Sequence, residues 1–327
     1  MQFDRRTFLG VVAGGVATAL TGAAIARATS GDDLDVLRVG VMANLTHAPL
    51  LAAIGSGRLA EALAPATIEV RVFRAGPRVT EALLGNAIDV GTAGPAPIVI
   101  HHARHPNNGF TILSGVCSGG ASLVVTRKSG IRGPKDFAGK RLAVAQIGAT
   151  QDVALRVYLR EHGYTDRTRG GNVDVLAISP ATILAQMTSG ELDGAWLAEP
   201  WATRIVKELQ AIRMVDEREL WPDRRFTTAI AVTRRATGPK TPLITRFNTH
   251  LGTEVRRAMA EPEKARDEAY EELKRRVGNP GKKAFFDAAL SFVDFTDDPL
   301  PASIDKFARD AQSLGFLPPG PIASPFR

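Results

Sequence analysis

The chain has 327 residues, 41 Lys and Arg against 34 Asp and Glu, a formal charge of +7 and one cysteine, Cys117. A single thiol forms no internal disulfide, so folding rests on a core, and a chain of this length builds one without staples, in two lobes. Its charges are interspersed: clusters such as Arg224-Arg225 and Lys274-Arg275-Arg276 read as solvated faces, and no basic–aromatic alternation points to nucleic acid.

The N-terminus reads as an address. Arg5-Arg6 precede Thr7-Phe8-Leu9, no residue from Phe8 to Ala26 is charged, and Ala26-Arg27-Ala28 places small residues at the positions a signal peptidase reads. The order predicts a signal peptide over residues 1–28, and the Arg pair followed by Phe-Leu resembles the twin-arginine export signal. No cysteine stands at the cleavage point to carry a lipid. The leader's Arg5, Arg6 and Arg27 against Asp4 hold +2 of the +7 and leave +5, a weak bias toward an anionic small ligand. A soluble periplasmic protein is expected, and no later segment is apolar enough to span a membrane.

Leu37–Val41 alternates as a first strand, and His47-Ala48-Pro49 opens an apolar helical run through Ile54, closed by Gly55 and Gly57. Ile68–Phe73 alternates as a second strand. Helix and strand then succeed each other to about Arg225, which predicts an α/β architecture with mainly parallel sheets. From about Thr241 the pattern is mostly helical, with amphipathic runs at Glu254–Met259 and Lys283–Phe292.

A repeat stands out within this series. Thr80–Leu84 reads as a helix turned by Gly85-Asn86, and Asp89 leads into a strand that ends at Gly94-Pro95, where the next helix begins. About a hundred residues on, the order returns. Ser179-Pro180 caps a helix through Met187, Asp193 leads into the strand Gly194–Leu197, and Glu199-Pro200-Trp201 opens the next helix. Pro suits a first helical position because its missing N–H has no partner there anyway. If each unit lies in its own lobe, the strand ends and helix starts face one cleft.

The segments Asn44-Leu-Thr-His47-Ala-Pro49, Asp89–Pro97, Ser118-Gly119-Gly120-Ala121, Thr150-Gln151-Asp152, Gly190–Asp193 and Trp196–Arg204 occur in an order that resembles the nitrate/sulfonate/taurine family of ABC-transporter substrate-binding proteins, especially its aliphatic-sulfonate receptors. The likeness runs from about Leu37 to Val232. It implies a type II periplasmic-binding-protein fold, with two α/β lobes and a ligand cleft between them. Crossings are expected near Val125 and Ala229, so that residues 29–125 and 230–327 form one lobe and 126–229 the other. The family often carries Asn before the Thr-Gln-Asp run, where this chain has Ala149.

An oxyanion asks for several hydrogen-bond donors, and helix N-termini supply them with the positive end of the dipole. Candidate ligand contacts are Asn44, Thr46, His47, Gly94, Pro95, Ser118, Gly119, Gly120, Thr150, Gln151, Asp152, Trp196, Glu199 and Trp201. Asn44 and His47 stand just past the first strand, where open α/β sheets bind ligands. His47 either donates or pins the loop, and Gly119-Gly120 either present amides or make a tight turn. Thr150 is first of all an N-cap and Asp152 suits a first helical turn, whereas Gln151 has no such structural reason. Glu199 opposes a bound anion unless it meets a ligand amine or pairs with a cation such as Arg204. Trp196 and Trp201 either wall the cleft or fill a core.

Enzyme motifs were sought: the chain holds no Gly-x-x-x-x-Gly-Lys phosphate loop and no Gly-x-Ser-x-Gly elbow. His101, His102 and His105 have no Cys or carboxylate at ligand spacing, so no metal and no cofactor is expected. The expected function is a monomeric solute-binding protein that delivers a small organic anion to ABC permease subunits in the inner membrane. An alkanesulfonate comes first and a taurine-like zwitterion second, on neutral donors without an Arg or Lys clamp. The alternatives are a lyase-type enzyme on the same two-lobed fold, a sensor's receptor, or a receptor for nitrate, bicarbonate or another small anion.

Overall fold

A computed structural model describes residues 34–322 and 324–326; the expected leader over residues 1–28 lies outside the described residues. The chain opens with β1 (Val36–Met42), a short 3-10 turn at Leu45–His47, α1 (Ala48–Gly55) and α2 (Arg58–Leu63). β2 (Thr67–Phe73), α3 (Gly76–Leu84), β3 (Val90–Ala93), α4 (Pro95–Arg104) and β4 (Phe110–Gly119) follow. Next come β5 (Ala121–Val125), β6 (Arg141–Val144), α5 (Thr150–Glu161), β7 (Asp174–Ala177), α6 (Pro180–Ser189), β8 (Gly194–Ala198), α7 (Trp201–Leu209) and β9 (Ile212–Asp216). The last third is β10 (Thr227–Arg234), α8 (Thr241–Ala260), α9 (Pro262–Val277), α10 (Lys283–Ala289), β11 (Val293–Phe295) and α11 (Pro301–Ser313).

These strands form two sheets, one ordered β11-β4-β10-β3-β1-β2 and the other β7-β6-β8-β5-β9. The sheets change at Gly119-Gly120, one strand earlier than the crossing expected near Val125, and again between Asp216 and Thr227, just before Ala229. The mainly parallel sheets expected from the helix–strand alternation are instead mixed. β1 runs parallel to β2 and β3, and β6 to β7 and β8, but β10 runs antiparallel to β3 and β5 to β8. The reason is topological: β5 and β10 each arrive from the other sheet, so each enters its new sheet from the opposite end.

The repeat seen in the sequence is a repeat of structure. β2-β1-β3 matches β7-β6-β8 in order and direction. The two aspartates do the same work in each copy. The Asp89 carboxylate accepts from the Arg38 amide at 2.8 Å, while the Asp89 amide donates to the Arg38 carbonyl at 2.8 Å. Asp193 accepts from the Arg141 amide at 2.7 Å, and its own amide donates to the Arg141 carbonyl at 2.9 Å. Each aspartate thus pins the start of a central strand to the start of its parallel neighbour, which fixes where the two strands end.

Apolar residues on alternate positions bury both faces of each sheet. Leu37, Val39 and Val41 of β1, with Ala229 and Ala231 of β10, face a cluster closed by α1, α8 and α9. Ile230 and Val232, one residue out of phase, face α3, α4 and α11 through Val79, Leu83, Ile98 and Ile304. In the second sheet Val124, Ala143 and Ala195 meet α6 and α7 through Ile183, Met187 and Ile205. Its other face meets α5, and there Ala96 and Ile100 of α4 and Phe307 of α11 join the same cluster, so the core runs across the joint. Among the described residues no helix is long and apolar enough to cross a membrane.

Asp89 also holds Lys240, whose Nζ lies 2.9 Å away with the side chain only 7% exposed. Burial alone would raise the Asp89 carboxyl pKa, but the hydrogen bonds from Arg38 and Lys240 override it and hold the pKa below the usual range. The stability this cluster supplies is therefore present above about pH 4 and lost as pH falls through the depressed value. Asp89→Ala strands a buried ammonium, and the expected loss at neutral pH is about 3–5 kcal/mol by chemical denaturation. A loss below about 1 kcal/mol shows that Lys240 finds another partner.

Candidate functional site

The two sheets meet where their central strands end. The Leu45 amide, past β1, donates to the Glu199 carbonyl, past β8, at 3.0 Å. The Ala96 amide at the start of α4 donates to the Thr150 hydroxyl at the start of α5 at 3.3 Å. Gly94 lies against this contact: a Cβ there would overlap the Thr150 hydroxyl. Gly119 and Gly120 make the crossing itself, with φ of 71° and 74°, a conformation that glycine adopts without strain.

Between the sheets lies a narrow cleft of about 50 Å³ that opens to solvent. The first sheet's side supplies Met42 at the end of β1, Ala43 and Asn44 past it, and Arg74, Ala75 and Gly76 past β2. The second supplies Ala145, past β6, Ala149 and Gln151 at the start of α5, Pro180 at the start of α6, and Trp196 and Trp201 on either side of the end of β8. The N-termini of α3, α5, α6 and α7 therefore converge on one space. First-turn amides have no intrahelical acceptor, and the dipoles place partial positive charge there, so the cleft suits an anion.

Of the residues singled out in the sequence, Asn44, Gln151, Trp196 and Trp201 line this cleft. Asn44 Oδ1 accepts from the Thr46 amide at 3.1 Å and the Thr46 hydroxyl at 2.6 Å, which turns its Nδ2 away from the turn it caps. Thr46 is buried in that cap, with its methyl group against Gly120. His47 is buried, with Nδ1 2.8 Å from the Thr92 hydroxyl, and burial pushes its pKa down to about 3; it pins the loop as a neutral ring. Ser118 accepts from the Phe226 amide at 3.2 Å. The Gly119 and Gly120 amides donate to the carbonyls of Phe226 and Phe292 at 3.3 and 2.6 Å, so neither is free to meet an anion.

Gly94 and Pro95 belong to the contact between helices and not to the cleft wall. Thr150, expected as an N-cap, is the first residue of α5, and Ala149 occupies the cap position. Its hydroxyl serves the start of α4 instead, while Asp152 takes over the local cap by accepting from the Gly148 amide at 2.8 Å. The other Asp152 oxygen pairs with Arg156 Nε at 2.7 Å, in a buried chain that continues to Asp166 at 2.6 Å. Asp152 is therefore spent on structure.

Glu199 is fully buried and does not meet Arg204. Arg213 Nη2 lies 2.7 Å from its Oε1, as an ion pair outside hydrogen-bond geometry, and Oε2 accepts from the Thr203 amide at 3.0 Å. Burial pushes the Glu199 pKa up, against the opposing pull of Arg213 and Thr203. Arg204 pairs with Glu208 at 3.1 Å and lies over the Trp201 ring, 5.1 Å from its centroid. Arg213 also reaches the hydroxyls of Ser122 and Thr203 and covers the Phe292 ring, 3.6 Å from its centroid, tying the second sheet to the segment before β11. Trp196 is buried, with Nε1 donating to Glu217 Oε2 at 2.7 Å, so only part of it forms the cleft floor.

The sequence reading missed Arg74. Its position obeys the rule that selected Asn44, since it stands just past a parallel strand. Arg74 is exposed and makes no hydrogen bond or ion pair among the described residues. No Asp, Glu, His or Cys lines the cleft among the described residues.

Residues 31–270 match the NMT1-like family. Among curated proteins the chain is 27% identical over 143 residues to the taurine-binding periplasmic protein of Escherichia coli K12, an alignment covering 44% of this chain and 42% of that protein. The chain spans less than half the length of the curated relatives it matches. Among solved structures it resembles the alkanesulfonate-binding protein SsuA of Xanthomonas axonopodis pv. citri bound to MOPS, at a TM-score of 0.69 and 22% identity over 87% of this chain and 95% of that one. It also resembles the periplasmic nitrate-binding protein NrtA of Synechocystis PCC 6803, at 0.72 and 15% over 88% and 83%. At these identities the likeness carries the fold: two α/β lobes of the periplasmic-binding-protein type.

Two measurements test this geometry. Gly94→Ala is expected to destabilise by about 1–3 kcal/mol through overlap with the Thr150 hydroxyl, and Thr150→Ala in the same chain to recover part of it. Strict additivity in that double-mutant cycle means the helices do not touch in solution. Glu217 is buried, its Oε1 lacks a hydrogen bond, and burial pushes its pKa up to about 8. A raised pKa supplies stability that is present below the unfolded value near pH 4.3 and lost as pH rises through about 8. Glu217→Gln should remove that decline, narrowing it by more than about 1.4 kcal/mol in denaturation series from pH 5 to 8.5; parallel pH curves for the two proteins would place the charge in a solvated site.

Proposed function

The chain belongs to the NMT1-like family, and from that premise we propose that it is the solute-binding protein of an ABC importer, capturing a small organic anion between two lobes and delivering it to membrane permease subunits. The observation that carries this reading is the convergence of the starts of α3, α5, α6 and α7 on one cleft lined from both sheets. Donors fixed on rigid elements bind an anion without reorganisation. Asn44 and Gln151 are the side-chain donors in this reading, and Trp196 and Trp201 bound the apolar part of the solute. One lobe is built on the first sheet, with residues 34–119 and the chain from Thr227 onward, and the other runs from Ala121 to Asp216.

Binding is favoured over chemistry because the groups able to move a proton are withdrawn from the cleft. Burial pushes the Cys117 thiol up to about 12, His47 is a buried neutral ring, and Glu199 is held by Arg213 and Thr203. An enzyme of the lyase type needs a general base within reach of its substrate. The remainder of the proposal is cellular: export by the twin-arginine route, work in the periplasm and action as a monomer. Arg5→Lys with Arg6→Lys is the variant that separates this route from ordinary secretion.

The reading is checked by thermal shift and calorimetry on the purified chain with a panel of nitrate, sulfate, acetate, bicarbonate and short alkanesulfonates. A monovalent organic anion is expected to raise the melting temperature, because it binds only the folded state. Gln151→Ala and Asn44→Ala should each weaken it by about 1–3 kcal/mol. Both variants binding like wild type, or no anion shifting the melting temperature, would overturn the proposal.

A further inference from the structure

We propose that Arg74 selects the charge of the solute, so that the cleft takes organic anions of net negative charge and turns away zwitterions of the same size. The inference deepens the function proposed above and rests on it. Arg74 follows β2 and lines the cleft beside Ala75 and Gly76. It is exposed, so its guanidinium stays hydrated when the cleft is empty and incurs no cost of a buried lone charge. Its side chain is not committed to any acceptor among the described residues. A planar guanidinium is permanently charged and presents paired donors, the geometry that meets a sulfonate or carboxylate at two oxygens.

The rest of the lining decides what else the solute carries. Ala43, Ala75, Ala145, Ala149 and Pro180 supply apolar lining, and Trp201, whose ring is covered by Arg204, part of its indole, which suits a short alkyl body. An ammonium on that body needs a carboxylate. Glu199 faces Arg213 and the Thr203 amide, Asp152 faces Arg156 and the Gly148 amide, and neither lines the cleft. An ammonium would enter without a counter-charge and in the field of Arg74, losing its hydration for nothing.

The test uses 1-propanesulfonate and taurine, which match atom for atom except that a methyl group replaces the ammonium. Calorimetry on the purified chain is expected to show propanesulfonate binding about tenfold or more tighter than taurine. Arg74→Gln should weaken propanesulfonate by about tenfold and narrow the ratio, while Arg74→Lys, which keeps the charge, should preserve the ratio. Taurine binding as tightly as propanesulfonate, or Arg74→Gln binding propanesulfonate like wild type, overturns the inference. Nitrate separates the two levels of the argument. Nitrate bound through Gln151 with neither sulfonate bound leaves the binding function standing and sinks the role of Arg74; no anion bound at all removes the function itself.

Discussion

The Glu199–Arg213 pair is the joint around which the cleft is arranged. Glu199 follows β8, and its backbone and side chain work in opposite directions: the carbonyl accepts from Leu45 on the other side of the cleft, while the carboxylate turns back into its own half. There it meets Arg213 and the Thr203 amide in the first part of α7, which orients that helix with Trp201 at its start. Arg213 in turn reaches Ser122 on β5 and covers Phe292 before β11. A buried ion pair contributes little net stability over an apolar replacement, but removing one partner leaves an uncompensated charge. Its consequence here is positional and electrostatic. The Glu199 carboxylate is matched from behind by Arg213 and does not line the cleft.

The duplicated β-α-β-α-β unit explains why the cleft lies between lobes and not on one of them. Asp89 and Asp193 fix the strand starts in register with Arg38 and Arg141. The strands of each copy are short, so their ends, and the helices that follow, are fixed as well. Because β5 and β10 each cross to the other sheet, the two copies are tied at Gly119-Gly120 and again just before Thr227. The strand ends of one copy then face those of the other. The core shared by Ala96, Ile100 and Phe307 with the second sheet holds the back of this arrangement together.

Much of this was legible. Alternation marked β1 and β2 because Leu37, Val39 and Val41, with Ile68, Val70 and Val72, pack on one cluster while Arg38, Glu69 and Arg71 turn the other way, and Pro95 and Pro180 marked helix starts where an N–H would be orphaned. The Asp–strand–Pro repeat was visible because the aspartate bonds backbone close to its own strand. What failed to show were partners fixed by packing. Nothing local distinguishes Arg204 from Arg213 as the partner of Glu199, since Arg213 reaches it only once β9 lies beside β5. Gly119-Gly120 read equally well as a donor loop; their amides are consumed by Phe226 and Phe292, far along the chain. Arg74 was passed over for a different reason. A lone arginine after a strand is usually a solvated charge, and only the second sheet closing opposite it makes it part of a wall.

The distribution of charge follows from these constraints. The acids beside the joint, Asp152 and Glu199, are each turned inward and matched by a cation and a backbone amide within hydrogen-bond or ion-pair distance. Each match removes a negative charge from the space between the lobes without removing the carboxylate from the protein. The helix starts are matched only in part: Thr203 of α7 donates to Glu199 and Thr182 of α6 to Ser179, while the first amides of each helix have no intrahelical acceptor. Two structural needs, satisfying buried acids and starting helices after short strands, thus leave no carboxylate on the cleft wall among the described residues and bring four helix starts to it. Against that background, the role proposed for Arg74 acts on affinity and selectivity together, since the guanidinium that attracts an anionic group also repels an ammonium.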